Sequence, residues 1–405
     1  MTAPTQDAVP GPLAGLRVVE MGSLIAGPFC GQLLGDLGAE VIKLEPPGKG
    51  DPMRQWGQAV DDARSYWWTV IARNKKSVTL DLRTPEGQAL ARTLIAGSDI
   101  VIENFRPGTV EGWGLGWDQL SALHPGLIMA RVSGYGQDGP YAQRASYGSI
   151  GEAMGGLRYL TGYPDRPPTR VGLSIGDSLA GTFAALGCLA ALRVRDATGR
   201  GQIVDSAIYE AVLAMTESLV PEYAGTGYQR ERTGAFLPRI APSNVYTASD
   251  GVDVLIAANQ DTVFARLCDT MGQPDLVQDP RFCDHHARGA HQAEIDAIIA
   301  DWAARQTSEA LLARLDANGI PAGRIYRAAD MLADPHFAAR QALVEAIVPG
   351  AGTVMMQNVV PRLSMTPGAV RSAGPRLGEH TEPVLMPLIA EGAEGFEALR
   401  TKGII

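Results

Sequence analysis

The sequence predicts an α/β protein: a large domain around a mostly parallel sheet, with a smaller α+β domain inserted. Three observations carry this. Short apolar runs alternate with helix-like segments through the first 135 residues, a pattern that implies parallel strands covered on both faces. After about residue 230 the texture changes to a hairpin followed by helices. Beyond that insertion, near 343–360, a further strand pair reads as a return to the large domain. A length of 405 residues suits two domains, set here at 11–229 with 341–405 and at 230–340.

The elements follow in order. "LRVVEM" (16–21) reads as a buried strand and "EVIKLE" (40–45) as the next. Between them "GPFCGQLLGDLG" is helix-like and closes on Gly38. "SVTLDL" (77–82) is a third strand. Thr84-Pro85-Glu86 then opens a helix, with Thr as N-cap, Pro in the first turn and an acid near the positive end. Leu90 and Leu94 lie one turn apart on it, and Gly97 stops it. "DIVIENF" (99–105) and "LIMARVSG" (127–134) are the fourth and fifth strands. Ligands of such sheets sit at the carboxyl ends of the strands. A Gly- and Ala-rich helix runs from 177 to about 196, its stripe marked by Leu179, Phe183, Leu186 and Ala190. "IVDSAIYEAVLAMTESLV" (203–220) reads as another helix. "NVYTASDGVDVLIAA" (244–258) is a hairpin with an Asp-Gly turn. Helices are expected over 261–272, 293–304 and 308–318, the last ended by "GIPAG". "LVEAIVPGAGTVMMQNVV" (343–360) is two strands around a Pro-Gly turn.

Composition removes several function classes. A formal net charge of −9 argues against nucleic-acid binding, which needs a basic stripe. No apolar run reaches the ~18 residues that span a membrane. The opening "MTAPTQDAVPGPLAG" lacks a basic region and an apolar core, so it reads as a short flexible lead-in and not as a signal peptide. Cys30, Cys188, Cys268 and Cys283 are scattered, with no CxxC, which favours a reduced, cytoplasmic compartment. The nearest approach to a metal site is Cys283 with His285 and His286, but adjacent histidines rarely share one ion, so no metal is expected. A strand, a turn and a helix closing on Glu45 fit a dinucleotide plan, but the turn "GSLIAGPF" is not GxGxxG. No GxxxxGK[ST] exists.

"GSLIAGPFCGQLLGDLGAEVIKLEPPGKGD", "NKKSVTLDLRTPEG", "VIENFRPG", "SGYGQDGP", "GDSLAG", "GIPAG" and "LGEHT" occur in this order over about 14 to 386. Together they resemble the markers of the class III CoA-transferases, typified by formyl-CoA transferase and carnitine CoA-transferase. The resemblance implies a large α/β domain whose parallel sheet is built from both chain ends, an inserted small domain, and a homodimer of interlocked rings. It implies that coenzyme A passes between two acids, with no permanent cofactor. The family's nucleophile is the aspartate of "GDxxxG", which falls on Asp177.

From the residues alone, Asp177 has a bland reading as the N-cap of a small-residue helix. A carboxylate there also suits covalent acyl exchange, and both roles gain from the positive helix end. The resemblance carries CoA contacts onto Ile25 and Ala26, onto Leu80 and Arg83, onto Asn104, Phe105 and Arg106, and onto Tyr147 and Gly148. Arg144 is added by its nearness to Tyr147. Arg83 and Arg106 could pair with phosphates bidentately, or could be plain solvated charges. Ile25 and Gly148 replace a glutamine and a glutamate of formyl-CoA transferase, and the glycine suggests room for an acyl group larger than formyl. "AANQDT" (257–262) stands where that enzyme has a Gly-rich lid. Succinyl-CoA is the donor expected from family habit, with a dicarboxylic acceptor such as malate, citramalate or itaconate. The rivals are an α-methylacyl-CoA racemase, which needs an acid/base pair where Tyr147 and Gly148 stand, and a non-catalytic CoA-ester binding protein.

Overall fold

The computed structural model describes residues 10–405, so most of the expected N-terminal lead-in lies outside the described residues. Six parallel strands form the main sheet. In chain order they are β1 (Arg17–Glu20), β2 (Glu40–Glu45), β3 (Lys75–Thr79), β4 (Ile100–Glu103), β5 (Ile128–Ser133) and β6 (Ile203–Ala207). Their spatial order is β3-β2-β1-β4-β5-β6. The order reverses between β1 and β4, so a crevice opens at the carboxyl ends of those two strands. The helices that matter here are α1 (Ala26–Asp36), α2 (Pro85–Ala96), α3 (Gly148–Met154), α4 (Ile175–Thr198) and α5 (Ile208–Leu213).

Apart from Arg17 and Glu40 at their starts, the inner strands β1, β2, β4 and β5 are buried on both sides, so their runs are largely apolar and not alternating; β3 and β6 are the partly exposed edges. One face packs on α1 and α4 through Val18, Ile100, Ile128, Ala180, Ala184 and Cys188. The other packs on α2 and the C-terminal segment through Val19, Val101, Met129, Leu94, Leu385 and Phe396. α1 and α4 touch backbone to backbone. A methyl at Gly181 would come within 2.6 Å of the Ala26 carbonyl oxygen, so a side chain there would push the helices apart.

Two expectations need correction. The parallel sheet is not built from both chain ends: all six strands come from residues 17–207, and the C-terminal segment supplies covering helices and a separate antiparallel hairpin, Leu343–Val348 with Gly352–Gln357. The stretch 203–220 is not one helix. Ile203 and Val204 pair with β5 as strand β6, and the helical period starts only at Ile208. β-Branched residues at a sheet edge, half exposed, mimic the start of an amphipathic helix. By length and composition alone, α4 is long enough to cross a membrane. Asp177 and Arg193 interrupt it, so it contains no unbroken apolar run of ~18 residues. It packs here as a core helix on the sheet.

The chain divides into two compact units. One is the stretch ending at Arg158 with Val171–Glu217 and Ala338–Ile405; the other is Tyr159–Arg170 with Ser218–Phe337. The second has its own core around Phe264, Phe282, Ile295 and Leu311. It carries the expected hairpin, Ser243–Thr247 with Asp253–Ala257, and the expected helices Asp261–Met271, Gln292–Ala303 and Ser308–Ala317. The segment 257–262 is held to this core by the buried Arg288, which donates to the Asn259 carbonyl at 2.9 Å and to the Asp261 carboxylate at 2.5 Å.

Candidate active site

The loop between β1 and α1 is the hinge of the site, and buried charges hold it. Lys43, on β2, is fully enclosed. Its ammonium meets Glu20 at 2.9 Å and Asp51 at 2.9 Å and donates to the Gly22 carbonyl at 2.7 Å. Lys75, on β3, pairs with Glu20 at 2.7 Å and donates to the Pro28 carbonyl at 2.6 Å. Asp51 accepts from the Leu24 N–H with both oxygens at 3.2 Å. Leu24 has φ 64°, a left-handed backbone that a leucine adopts only when its surroundings impose it. Burial pulls Lys43 down, but Asp51 and Glu20 more than reverse this and raise it; at Lys75 burial prevails and lowers the ammonium. Two lysines and two carboxylates thus fix the path from Gly22 to Pro28.

On one side of this loop lies a cleft of about 810 Å³ at the carboxyl ends of β1 to β4. Leu80, Arg83 and Phe105 line it, as do Lys49, Trp113 and the turn from Pro46 to Pro52. Phe105 meets Trp113 edge to face, with ring centroids 5.0 Å apart. Arg83 is highly exposed and lies bidentately on Asp81, both bonds 2.8 Å. Asn104 is committed elsewhere: its amide accepts from the Ser23 N–H and donates to the Ser23 carbonyl, each at 2.8 Å, so its side chain shapes the loop. Arg106 is exposed. Arg144 stacks on Tyr141 at 3.7 Å and does not line this cleft.

On the other side of the loop stands α4. Ile25 caps α1 and is buried with Ala26. Ala26 touches Gly181, and Asp177 lies one turn before Gly181 on the same helix. The carboxylate of Asp177 rests on Gly148: a Cβ built there would stand 2.1 Å from Oδ2 and 2.6 Å from Cγ. Asp177 is the third residue of α4, not its cap; Ser174 holds the cap position. Tyr147 caps α3 and is 71% exposed. Gly148 offers no titratable group, so the acid/base pair of a racemase has no second member at this point. Among the described residues no group of three His, Cys, Asp or Glu could hold a metal ion.

The cleft joins apolar surface to the cations Lys49 and Arg83, and the half-buried Asp177 lies on α4, outside the residues that line it. A sequence profile described as CoA-transferase family III matches residues 13–381. The chain belongs to CoA-transferase family III. It is 59% identical over 396 residues to a succinyl-CoA–D-citramalate CoA-transferase of Chloroflexus aurantiacus, covering 98% of each chain. It is 43% identical to the beta subunit of a succinyl-CoA–L-malate CoA-transferase of the same organism, over 97% of this chain and 98% of that one. A CAIB/BAIF family protein from Brucella suis superposes with a TM-score of 0.82 at 36% identity, over 94% of this chain and all of that one. As a family III CoA-transferase, the protein takes CoA thioesters as substrates.

The sequence missed the Glu20–Lys43–Asp51–Lys75 network. Its signal was present: "EVIKLE" and "KKSVT" place lysines inside strands that the sheet covers on both faces, where a lone charge is costly.

Proposed function

We propose that this CoA-transferase moves coenzyme A from succinyl-CoA to a dicarboxylic acid of the citramalate or malate type, with Asp177 as nucleophile. The observation that carries the reading is the Asp177 carboxylate lying on the bare backbone of Gly148, one helical turn from the loop that borders the cleft. The relatives named for succinyl-CoA transfer to D-citramalate and L-malate support the substrate class.

The chemistry follows from the groups present. A carboxylate oxygen of Asp177 attacks the thioester carbonyl, and the C–S bond breaks to give a mixed anhydride and CoA thiolate. The thiolate attacks the aspartyl carbonyl and releases succinate, leaving an aspartyl-CoA thioester. The acceptor carboxylate attacks that thioester, forming a second anhydride and freeing the thiolate again. Attack of the thiolate on the acceptor's acyl carbon gives the new thioester and restores Asp177. Every step trades one activated acyl group for another, so the exchange needs no external energy source. Gly148 leaves space for the tetrahedral centres that form on Asp177. Ile25, Ala26, Leu80, Phe105 and Tyr147 would line the CoA path and Arg83 and Arg106 would meet its phosphates, while Asn104 would shape the loop beside it. The working unit is a cytoplasmic homodimer of interlocked chains, and coenzyme A passes through as substrate with no resident cofactor.

The test is substitution with trapping. Asp177→Ala and Asp177→Asn should abolish transfer, because neither can form an anhydride. Hydroxylamine with succinyl-CoA should inactivate the unchanged protein and leave a hydroxamate at Asp177. Wild-type turnover in Asp177→Ala, or modification only at other residues, would refute the assignment.

A further inference from the structure

We propose that Glu152 is a positioning residue for the reaction: it holds the first turn of α4 so that the Asp177 carboxylate stays against Gly148. The inference rests on Asp177 being the nucleophile and adds a role the sequence motifs do not mark.

Glu152 lies one turn past Gly148 on α3 and is 1% exposed. Its Oε1 accepts from the Gly176 N–H at 3.4 Å, and its Oε2 accepts from Arg158 Nη2 at 3.1 Å. A Cβ at Gly176 would stand 3.0 Å from Glu152 Cγ and 3.2 Å from the Gly148 carbonyl oxygen. Helix α3 therefore grips α4 at two successive residues, Gly148 against Asp177 and Glu152 against Gly176.

The first N–H groups of a helix have no partner within it and carry partial positive charge. Ser174, at the cap position of α4, makes no side-chain capping bond. Glu152 meets that need from a different helix. A buried carboxylate is costly unless paired, and Arg158 pairs it. At the Gly176 N–H the contact comes from Glu152, while the Asp177 carboxylate lies against Gly148. Because Gly176 and Asp177 are adjacent, a shift of the first turn moves the reacting oxygen with it.

Three variants, Glu152→Ala, Glu152→Gln and Glu152→Asp, are compared with Asp177→Ala for kcat, for KM with succinyl-CoA and for the single-turnover rate of hydroxamate formation. Each rate is normalised to folded protein by circular dichroism. Glu152→Ala should lower kcat and the trapping rate between about tenfold and a hundredfold, the scale of a small misplacement of a reacting atom, with KM changed less than about twofold. Glu152→Gln should recover most of the loss, because its amide oxygen still accepts from Gly176. Glu152→Asp falls one methylene short of that N–H and should lose kcat while remaining folded, which keeps the test decisive if the alanine variant does not fold. Normalised rates equal to wild type in Glu152→Ala or Glu152→Asp overturn the proposal, as does a glutamine variant no better than the alanine one. Residual turnover in Asp177→Ala would instead strike the nucleophile assignment and leave the contact with Gly176 standing.

Discussion

The carboxylate of Asp177 occupies the space where residue 148 would carry its Cβ: Oδ2 lies 2.1 Å from that point. Even a methyl group there must displace the carboxylate. Gly148→Ala is therefore expected to lower kcat/KM by more than tenfold, over ~1.4 kcal/mol of transition-state binding, for every acceptor acid alike. Gly148→Glu adds a bulky like charge against the Asp177 carboxylate and should lower kcat/KM further. It should penalise dicarboxylates further. Steady-state kinetics across mono- and dicarboxylic acceptors measures both effects, and an unchanged alanine variant would show that the contact does not matter.

Asp51 anchors the loop before α1. Burial by itself would raise its carboxyl, but Lys43 and the N–H groups of Met53 and Leu24 outweigh that and hold it below the ordinary value. A carboxyl lowered on folding stabilises the fold above its unfolded pKa of ~3.9, and this contribution disappears as pH falls through the folded value. Asp51→Asn should cost about 3 kcal/mol at pH 7, as expected for a broken buried pair. The difference from wild type should narrow below pH ~3.9. Denaturant titration at neutral and acid pH measures it; a gap that widens in acid would contradict the assignment.

Arg83 rests on Asp81 at the mouth of the cleft and is free to exchange that partner for a phosphate. Arg83→Met and Arg106→Met should each raise KM for the CoA thioester roughly two- to fivefold and leave kcat unchanged, the scale of an exposed ion pair. The effect should shrink as salt rises. A fall in kcat with KM unchanged would place these arginines outside CoA binding.

The hairpin and the segment after it expose apolar side chains: Ile347, Val360 and Met365 are all more than 70% exposed. In the proposed interlocked dimer a second chain would cover such side chains. Light scattering should give twice the chain mass at every dilution, because interlocked rings separate only by unfolding. A folded species of single-chain mass would rule out the interlocked dimer.

Part of this arrangement was open to reading from residues alone. "RVVE", "EVIKLE" and "LIMARVS" are apolar runs bounded by turn residues, so their strand character is local. Thr84-Pro85-Glu86 announced its helix, at whose start the Gly87 N–H donates to the Thr84 hydroxyl oxygen. Asp177 could be singled out because its motif is contiguous. β6 could not, since its pattern becomes strand-like only once β5 lies beside it. Nor could the all-N-terminal origin of the sheet, because a strand's sheet is a matter of long-range pairing.

What the sequence by itself determined is the class of element at each local pattern, the order of the family's markers, and the carboxylate at the start of the small-residue helix. Short-range propensity and contiguous motifs suffice for those. Only the tertiary structure decided that Gly148 is the floor under Asp177, that Glu152 meets the Gly176 N–H, and that Asp51 sets Leu24 at φ 64°. These relations join residues 24 to 29 positions apart through side-chain contacts and buried charge, and no propensity or period encodes them. They arise when burial makes each polar group find a partner.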